Sequence, residues 1–503
     1  MSSSFSLPVG WAQIPLEEVV DIRDDLREPI NASKREQRQG PYPYYGATGQ
    51  VGWIDDYLID GEYVLLGEDG APFFDASKAK AYIVRGKGWV NNHAHVLIGL
   101  GGVLSNRYLL HALNRVDYRG FANGTTRLKL TQAAMRKIPL LLAPPGEQER
   151  IVAKTEEIFS DLDAGVAALE RAKANLIRYR AAVLRAAVEG KLTAEWRMKH
   201  PDVEPASKLL EHILAERRRK WEQAEDSRYA ATGKAPPKNW RERYEEPIPP
   251  DVCDLPELPK GWCWTTLDSL MLSLGSGTAT TATSAPTSRK VLRSSAVRQG
   301  NVDLEDYRFL PEDAAQNSDP YLQAGDILIT RLSGSLEYVG NCAIVPDIGD
   351  SHIEFPDRIF RGRSSSAISK EYLQHCFCDS GLRRPLERKA KSTAGHQRIS
   401  LSDLRSFCLP LPPRPEQLEI ANEVGQYLAV ADRVKAYLEQ GRRRSTSLRQ
   451  AILKHAFDGK LVPQDPNDEP VSRLIERIKA ERVNTEPKKV RTPGRRSTAK
   501  DTP

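Results

Sequence analysis

The chain has 503 residues, with 73 basic and 67 acidic side chains and a formal net charge of +6. That length suggests about three or four domains rather than one core, and the mildly basic balance permits a polyanionic partner without requiring one. No apolar run is long enough to cross a membrane, and the N-terminus lacks the pattern of a secretory signal. We therefore expect a cytoplasmic protein with no membrane partner.

Residues 1–143 are predicted to form a first globular unit, which opens on a Leu-Pro-x-Gly-Trp turn. β-Branched and alternating runs, bounded by Gly and Asp, predict strands. These runs lie at residues 63–66, 81–84 and 95–98, and a helix is predicted over residues 105–113. The pattern indicates a mixed α/β unit that consists mostly of strands.

The loops of this unit carry side chains suited to reading DNA. Aromatic rings with the backbone freedom of glycine lie in residues 41–49, and later loops supply amide, hydroxyl and guanidinium groups. We predict DNA contacts from Tyr44, Tyr45, Thr48, Gln50, Glu68, Asp69, Asn91, Asn92, His93, Asn123, Thr125, Thr126 and Arg127.

Two pairs of residues in these loops allow a second interpretation. Glu68 and Asp69 could hold a metal ion or accept a hydrogen bond from a cytosine amino group. His93 and His95 alternate on a predicted strand and could face one metal ion. Because no further cluster of ligands is obvious, hydrogen-bonded histidines are the favoured interpretation, and we predict no metal site.

A long helix is predicted over residues 144–192. Pro144 and Pro145 mark its start, because proline is tolerated in a first turn and not in a helix interior. Gly190 offers a left-handed C-terminal cap. Small and apolar residues recur at alternating spacings of about four and three, which is typical of a coiled-coil seam. The first stripe consists of Ile158, Leu162, Gly165, Leu169, Ala172, Leu176, Tyr179, Val183 and Ala186.

Residues 193–257 are predicted to form a short charged helix followed by a linker. Ser207 lies where an N-cap is expected. The basic run at residues 217–220 is best interpreted as a solvated helix face. The linker, from about residue 229 to residue 258, is rich in proline and charge, so we expect it to be poorly ordered.

The same plan is then repeated along the chain. The Leu-Pro-x-Gly-Trp turn, the Glu-Gln and Gly-Lys-Leu ends of the long helix, and a Glu-Pro-x-Ser start of the short helix all return. We predict a second globular unit over residues 258–411, a second long helix over 412–462, a short helix over 463–482 and a disordered basic tail over 483–503. Ser472 is the expected N-cap of this second short helix.

The second long helix carries its own stripe. It consists of Tyr427, Ala431, Val434, Leu438, Gly441, Ser445, Leu448, Ile452 and His455. A helix of about forty residues with one apolar face needs a partner to cover that face. The other long helix, its copy in the same chain, can be that partner. The alternative is a long helix packed on a globular core. We predict an α+β fold in which two mixed α/β units are separated by a two-helix coiled coil, with an internal pseudo-twofold repeat.

The second globular unit resembles the first around one strand and diverges elsewhere. Strands are predicted at residues 326–330 and 342–345, and a helix at 370–378. The turns and the helix ends are copied closely, whereas the rest of the two globular units differs. This contrast indicates that the two units recognise different targets. Arg suits guanine, Gln suits adenine, and Ser and Lys suit phosphates. We predict DNA contacts from Arg293, Ser294, Arg298, Gln299, Arg331, Ser333, Ser335, Arg358, Lys391, His396, Gln397 and Arg398, and the motif-rich loops also include Arg361 and Arg363.

Motifs for catalysis are missing from the sequence. It has no Gly-x-x-x-x-Gly-Lys-Ser/Thr phosphate loop and no Asn/Asp-Pro-Pro-Tyr/Phe stretch of the amino-methyltransferase kind. A non-catalytic DNA-binding protein is therefore the main hypothesis. The alternatives are a methyltransferase or nuclease with an unrecognised site in one unit, and a coiled-coil scaffold that joins proteins without DNA.

With these motifs in order, the chain resembles the specificity subunits of Type I restriction-modification systems. The resemblance rests on the turn at residues 7–11, the stretch 45–57, the segments 61–71, 292–306 and 325–331, and the duplicated Pro-Pro-x-Glu-Gln starts and Gly-Lys-Leu ends of the long helices. Single motifs are weakly specific, but their duplicated order is highly specific. The departures are the basic tail after Arg482 and the polar second long helix.

The resemblance implies two target-recognition domains, each reading one half of a bipartite site on double-stranded DNA, spaced by an antiparallel coiled coil. It implies two modification (methyltransferase) subunits that carry S-adenosylmethionine. It also implies restriction subunits, with ATP and Mg, that translocate and cleave DNA. This chain itself is then expected to hold no cofactor and to catalyse no reaction.

Overall fold

The computed structural model describes residues 7–233, 235–253, 255–315, 319–393 and 396–485. The chain divides into two compact units. Unit 1 comprises Met1–Arg171 with Leu438–Pro503, and unit 2 is Ala172–Tyr437. The predicted disordered tail lies, from residue 486 onward, outside the described residues.

Unit 1 begins with a mixture of short helices and strands. Its strands are β1 (Ala12–Pro15), β2 (Val20–Ile22), β3 (Tyr42–Gly46), β4 (Gly49–Ile54), β5 (Ile59–Gly67), β6 (Ala81–Val90), β7 (Ala94–Gly99) and β8 (Pro139–Leu142). Its helices are α1 (Leu16–Val19), α2 (Ala32–Gln37), α3 (Asn106–Arg115) and α4 (Gln132–Arg136), followed by the start of α5 (Pro145–Val188).

The main sheet of unit 1 has six strands in the order β2-β7-β5-β6-β3-β4. The predicted strands lie within β5, β6 and β7, and the predicted helix corresponds to α3, so these predictions are confirmed. Side chains alternate across a strand, and Val64 and Leu66 of β5 enter the same core as Tyr108 and Leu109 of α3. This core fixes the sheet from which the polar loops extend.

Unit 2 contains more and shorter strands. They are β9 (Cys263–Thr266), β10 (Met271–Ser276), β11 (Lys290–Leu292), β12 (Val297–Arg298), β13 (Asn301–Val302), β14 (Tyr307–Phe309), β15 (Ile327–Thr330), β16 (Leu332–Ser333), β17 (Cys342–Ile344), β18 (Ile353–Glu354), β19 (Ile359–Ser364), β20 (Lys391–Thr393), β21 (His396–Arg398) and β22 (Cys408–Leu411). Its helices are α6 (Ala194–Lys199), α7 (Ala206–Ala231), α8 (Leu267–Leu270), α9 (Lys370–Cys378), α10 (Ser380–Lys389) and α11 (Leu401–Arg405). The second long helix is α12 (Arg414–Phe457), and α13 (Val471–Thr485) belongs to unit 1.

The largest sheet of unit 2 has the order β10-β19-β15-β17. Both strands predicted here and the helix over residues 370–378 are confirmed. All four residues of β15 are buried. Ile327 and Ile329 face the core that contains α9, whereas Leu328 faces a second core on the opposite side of the sheet. The sheet is therefore covered on both faces, as its uninterrupted apolar run requires.

In each unit, the residues after the Leu-Pro-x-Gly-Trp turn and those before the long helix form a strand pair, which we call the frame. β1 pairs with β8 and β9 pairs with β22, so each body is closed just before its long helix begins. The Gln of each Glu-Gln pair joins this frame to the body. Gln148 donates hydrogen bonds to the carbonyls of Val103 and Ala143, and Gln417 accepts one from the Ser369 amide at the start of α9.

The two long helices have 44 residues each, and each is followed by a glycine at positive φ, Gly190 or Gly459. Within unit 1, Asp163 of α5 forms an ion pair with Arg449 of α12. A Cβ built on Gly441 would lie 3.2 Å from the Leu169 side chain. The α12 partner number falls as the α5 number rises, so these segments pair antiparallel. Within unit 2, Arg180 donates to Asp432 at 2.5 Å.

The predicted seams are correct in part. Val183, Ala431 and Ser445 are buried as expected. However, Tyr179, Tyr427, Val434 and Leu448 are 41%, 38%, 39% and 50% exposed, and Gly165 and His455 are exposed as well. A straight helix has 3.6 residues per turn and drifts away from a strict seven-residue repeat, which turns some of the predicted positions outward.

The short helices begin two residues earlier than the predicted N-caps imply, so Ser207 and Ser472 are not N-caps. The first amides of these helices are instead satisfied by the Leu-Pro-x-Gly-Trp turns. The Ala206 amide donates to the Gly261 carbonyl at 2.8 Å, and the Val471 amide donates to the Gly10 carbonyl at 2.9 Å. The first helix, α7, is also longer than predicted, at 26 residues.

The linker after α7 was expected to be poorly ordered, and this prediction is wrong for the part around Trp240 and Tyr244, which packs against α7. Trp240 is 5% exposed and stacks on Trp221 at a ring distance of 5.7 Å. The Tyr244 hydroxyl accepts a hydrogen bond from Arg217 at 2.7 Å. Two aromatic side chains therefore anchor a segment whose proline and charge content predicted the opposite.

Candidate nucleic-acid interface

Three loops of unit 1 are joined by backbone hydrogen bonds. The Glu68 amide donates to the His93 carbonyl at 2.7 Å, and the Leu130 amide donates to the Glu68 carbonyl at 2.7 Å. Asn123 and Lys129 exchange two bonds at 2.9 and 2.7 Å. The structure therefore brings together the candidates that follow β5, β6 and α3.

Side-chain ion pairs hold the same loops. Arg127 Nε lies 2.7 Å from Asp69 Oδ1, and His93 Nδ1 lies 3.5 Å from Asp69 Oδ2. Lys129 Nζ lies 3.3 Å from Glu68 Oε1, and Arg27 forms a closer pair with the same carboxylate. Glu68 and Asp69, the pair that could hold a metal ion or accept a hydrogen bond from cytosine, are therefore already engaged by basic side chains of their own unit.

A buried layer supports these loops from below. His95 is fully buried, with Nδ1 2.8 Å from Asp24 Oδ2 and Nε2 3.0 Å from the Leu130 carbonyl. Burial alone would raise the pKa of Asp24. Hydrogen bonds from His95 and the Val96 amide lower it by more than burial raises it, so the pKa lies below its ordinary value. Burial likewise raises the pKa of Glu68, but Arg27, His95 and Lys129 together lower it by more, so its net shift is also downward.

His93 and His95 therefore have different partners and do not face a common metal ion. Among the residues that the structure describes, no group of three or more His, Cys, Asp or Glu could hold one. In the same described ranges, no helix combines the length and apolar character needed to cross a membrane.

The other candidates of unit 1 fall into buried and exposed sets. Tyr44 is 1% exposed, and its hydroxyl accepts a hydrogen bond from the Ile30 amide at 3.2 Å. Asn91 is also buried, and its Oδ1 accepts from the His93 amide at 2.8 Å. Tyr45 packs against Tyr82 at a ring distance of 6.2 Å. The exposed candidates are Thr48, Gln50, Asn92, Asn123, Thr125, Thr126 and Arg127.

In unit 2, a small three-stranded sheet gathers the later candidates. β16 pairs with β21, which places Leu332 opposite Arg398 and Ser333 opposite Gln397. β21 also pairs with β20, where Lys391 lies opposite Arg398 and Thr393 lies opposite His396. The Arg331 amide donates to the Arg358 carbonyl at 2.9 Å. Gln397 lies next to Arg398 on β21, so its side chain points to the opposite face of this sheet. We call the surface formed by Arg331, Arg358, Lys391 and Arg398 the basic surface.

The basic surface carries uncompensated positive charge. Arg358, Lys391 and Arg398 are exposed, and none of them forms an ion pair or side-chain hydrogen bond with another described residue. Arg331 differs, because its Nη1 donates to the Asp357 carbonyl at 3.0 Å and its guanidinium lies over the Phe360 ring. Three cations without a partner among the described residues, beside one held arginine, suit a phosphate backbone better than an internal role.

The earlier candidates of unit 2 are mostly engaged within the unit. Arg293 pairs with Asp306 at 3.1 Å, and Ser294 beside it is half-buried. Gln299 donates to Cys378 Sγ at 2.7 Å, which turns its amide inward. Ser333 accepts a hydrogen bond from the Ser335 amide.

Arg361 and Arg363, predicted as binding residues, are committed to the interior of unit 2. Arg361 is 8% exposed and lies 2.7 Å from Asp319. Arg363 Nε lies 2.7 Å from Asp326 Oδ1. These ion pairs connect β19 to a neighbouring loop, so the two arginines hold the sheet together.

The sequence search missed an apolar element beside the basic surface. Leu336 and Tyr338, in the loop between β16 and β17, are 42% and 37% exposed. The Arg298 guanidinium lies 4.9 Å from the centre of the Tyr338 ring. In unit 2 all the predicted contacts are polar or charged residues, whereas an aromatic ring in a Gly- and Ser-containing loop was also a usable indication, as it was for Tyr44 and Tyr45 in unit 1.

Comparison with known proteins agrees with this architecture. Residues 8–179 match the family model described as Type I restriction modification DNA specificity domain. The EcoKI specificity subunit of Escherichia coli K12 is 28% identical over 386 residues, which cover 75% of this chain and 71% of that protein. The EcoDI specificity subunit of Escherichia coli is 24% identical over 506 residues, covering 97% and 98%.

A solved structure from a study of complex assembly and conformational transition of the type I R-M system shares the fold. It covers 91% of this chain and all of its own, with a TM-score of 0.53 and 16% identity. Two α/β units on duplicated long helices, with polar loops at one sheet and a basic surface at another, agree with the DNA specificity domain that the family model describes. Over most of its length the chain is similar to Type I restriction-modification specificity subunits.

Proposed function

We propose that the chain is the sequence-specific DNA-binding subunit of a Type I restriction-modification complex. Each unit reads one half of a bipartite double-stranded site, and the long helices hold two modification subunits and the restriction subunits. The observation that carries this proposal is the basic surface, whose Arg358, Lys391 and Arg398 are exposed and form no ion pair with another residue that the structure describes. The duplicated frame and the relatives named as specificity subunits support it.

The chemistry of the two surfaces differs, which suits separate half-sites. Unit 2 presents long cationic side chains that can contact phosphates or the guanine edge, and Gln397, on the other face of the same small sheet, is the candidate adenine reader. Unit 1 presents hydroxyl and amide groups, with Arg127 as the nearest cation, held 2.7 Å from Asp69. A held arginine has already lost much of its side-chain freedom before it meets DNA, so it loses less entropy on binding.

The same proposal assigns chemistry to the partners. S-adenosylmethionine belongs to the modification subunits, and ATP and Mg belong to the restriction subunits, in a cytoplasmic complex. The chain alone is expected neither to methylate nor to cut DNA. The relatives are named as specificity subunits of restriction enzymes, which supports this division of roles.

The test is a binding selection from random duplexes, with the purified chain alone and with its modification subunits. We expect recovery of one interrupted sequence with two defined halves. Labelled methyl transfer by the chain alone would favour the enzyme alternative. A complex that forms with the modification subunits but selects no sequence would favour the scaffold alternative.

A further inference from the structure

A cavity of about 290 Å³ in unit 1 lies apart from the polar loops described above. Its wall includes four cationic side chains, Lys80, Arg115, Arg119 and Lys454, and one carboxylate, that of Asp117. Arg119 lies 3.3 Å from Asp117. Asp117 is thus paired with Arg119. Lys80, Arg115 and Lys454 have no counter-ion among the described residues that line the cavity.

Arg119 and Lys454 are exposed, whereas Lys80 and Arg115 are not ordinary solvated side chains. Lys80 is 2% exposed, its Nζ donates to the Asp75 carbonyl at 2.8 Å, and the charge of Asp75 lies near it. Arg115 Nε is buried without a hydrogen-bond partner. Neither Arg115 nor Lys454 forms an ion pair with any residue that the structure describes. Buried cationic groups without partners are costly, and a bound anion would remove that cost.

The fold holds the cavity wall in place. Arg115 lies in the last turn of α3, and Lys454 lies near the end of α12. Beside Arg115, Asn114 Oδ1 accepts the amides of Lys80 and Ala81 at 2.7 and 3.1 Å. This contact fixes the Lys80 backbone against α3, so the positive charges are positioned before any ligand arrives.

An aromatic ring lies at the same cavity. Phe73 is buried in the core, whereas its neighbour Phe74 is 45% exposed and lines the wall. Exposed aromatic rings beside cationic grooves stack on nucleobases in many proteins that bind nucleic acids. The cavity therefore combines groups for an anion with a flat apolar surface next to them.

We propose that this cavity binds a nucleotide, with its phosphate held by Lys80, Arg115 and Lys454 and its base stacked on Phe74. Phosphate suits the wall better than a carboxylate, because its higher charge and additional acceptor oxygens can satisfy several cations at once. The nucleotide is either free or part of a DNA strand, and both sources present the same phosphate chemistry.

The test uses the full chain and calorimetric titration with AMP, ribose 5-phosphate, adenosine and a short duplex of random sequence. If free nucleotide is the source, AMP should bind more tightly than ribose 5-phosphate, and adenosine weakly. Arg115→Gln and Lys454→Gln should each weaken phosphate binding about tenfold, the loss of one charge-assisted hydrogen bond. Phe74→Ala should remove the advantage of AMP over ribose 5-phosphate. Arg171→Gln makes the same charge change at an exposed position of unit 1 outside the cavity, and should have no effect.

Each outcome is decisive. If Arg115→Gln and Lys454→Gln weaken only duplex binding, the cavity binds a phosphate of DNA rather than a free nucleotide, and the proposal is supported for that source. If both variants, folded by thermal unfolding, leave every phosphate titration unchanged, the proposal is overturned. Equal competition by glutarate would also overturn it, in favour of a carboxylate partner. Lys454 is exposed, so its variant keeps the test valid if Arg115→Gln does not fold. AMP binding does not depend on sequence-specific DNA recognition, so the two proposals fail separately.

Discussion

Trp262 Nε1 donates a hydrogen bond to Glu416 Oε2 at 2.8 Å, at the start of α12. The other carboxylate oxygen accepts from Thr193 at 2.7 Å and from Arg197 at 2.8 Å. This contact ties the Leu-Pro-x-Gly-Trp turn, the beginning of α12 and the residues after α5 within unit 2. It gives a physical reason for the copied Trp and Glu.

The copied pair in unit 1 makes only half of this contact. Trp11 Nε1 donates to Glu147 Oε2 at 2.9 Å, but Glu147 Oε1 is buried without a hydrogen-bond partner. Gln464 lies near, without completing a bond to that oxygen. Burial raises the pKa of Glu147 above its ordinary value of 4.5, and the Trp11 bond and the charge of Arg150 offset this in part.

We predict opposite effects of one substitution at the two sites. Glu416→Gln should cost about 1–3 kcal/mol of local stability, because it removes a charge that Arg197 and Thr193 hold. Glu147→Gln should be neutral or stabilising by up to about 1 kcal/mol, because it removes a poorly compensated buried charge. Hydrogen exchange of peptides around residues 139–152 and 408–420 reports each site separately. Equal destabilisation by both variants would contradict the asymmetry.

The raised pKa of Glu147 also predicts a pH dependence with a defined sign. The folded state binds this proton more tightly than the unfolded state, so the stabilising contribution is complete below the ordinary value of 4.5 and is lost as pH rises through the folded pKa. Hydrogen exchange near Glu147 should therefore slow relative to Glu147→Gln as neutral solution is acidified toward that range. A wild-type chain with the same pH profile as the variant would contradict this.

A second prediction concerns the basic surface. Arg358→Gln and Arg398→Gln should each weaken duplex binding by about 1–3 kcal/mol, and for a phosphate contact the salt dependence should fall by about one released counter-ion. Arg219→Gln is the matched control, because Arg219 is exposed in unit 2 on α7, outside the surface. Fluorescence anisotropy at several salt concentrations measures both quantities. An equal loss in the control would show a general charge effect.

The sequence predicts a feature of this surface well when the residues that interact lie close together along the chain, and poorly when they lie far apart. Residues 331–335 and 391–398 were both selected, and their union in one sheet follows from strand pairing that no local pattern specifies. Arg361 and Arg358 look alike in sequence, yet only Arg361 meets Asp319 across a loop. Local periodicity, by contrast, was enough to predict α9 and the ends of both long helices, because those depend on neighbours in the chain.

A third prediction concerns Tyr338, the apolar neighbour of the basic surface. Tyr338→Ala should weaken duplex binding by about 1–3 kcal/mol if the ring stacks on a base, and Tyr338→Phe should retain most of the affinity. Tyr437→Ala is the control, because Tyr437 is 71% exposed on α12 in the same unit. Equal losses for Tyr338→Ala and Tyr437→Ala would remove Tyr338 from the interface.

A fourth prediction concerns the separate reading of half-sites. Replacing residues 12–143 with the same region of a relative should change one half-site and preserve the other. The exchange keeps Trp11 and Glu147, so the bond between them remains to close the new body. Methylation mapping of the exchanged complex shows both halves at once. A change in both half-sites would contradict independent units.

The last prediction concerns a fragment that ends near Arg228. The core of unit 1 includes Phe457 and Val471 from the far end of the chain, and the Phe457 ring lies 5.0 Å from that of Tyr108. The fragment lacks these residues and exposes the face that they cover. Within the repeat, Val188 and Ala206 occupy the corresponding positions, so a second copy of the fragment can supply them.

The fragment should therefore form a twofold dimer that, with modification subunits, recognises an interrupted palindrome of the first half-site. Dimerisation should be weak, because Val188 fills less space than Phe457 and leaves a gap beside Tyr108. Val188→Phe restores the missing ring and should tighten the dimer, whereas Ile177→Phe, at a position 65% exposed, should not. Light scattering at several concentrations measures dimerisation, and methylation mapping reads the site. A fragment that stays monomeric at high concentration, or a dimer that selects a non-palindromic site, would contradict the duplicated plan.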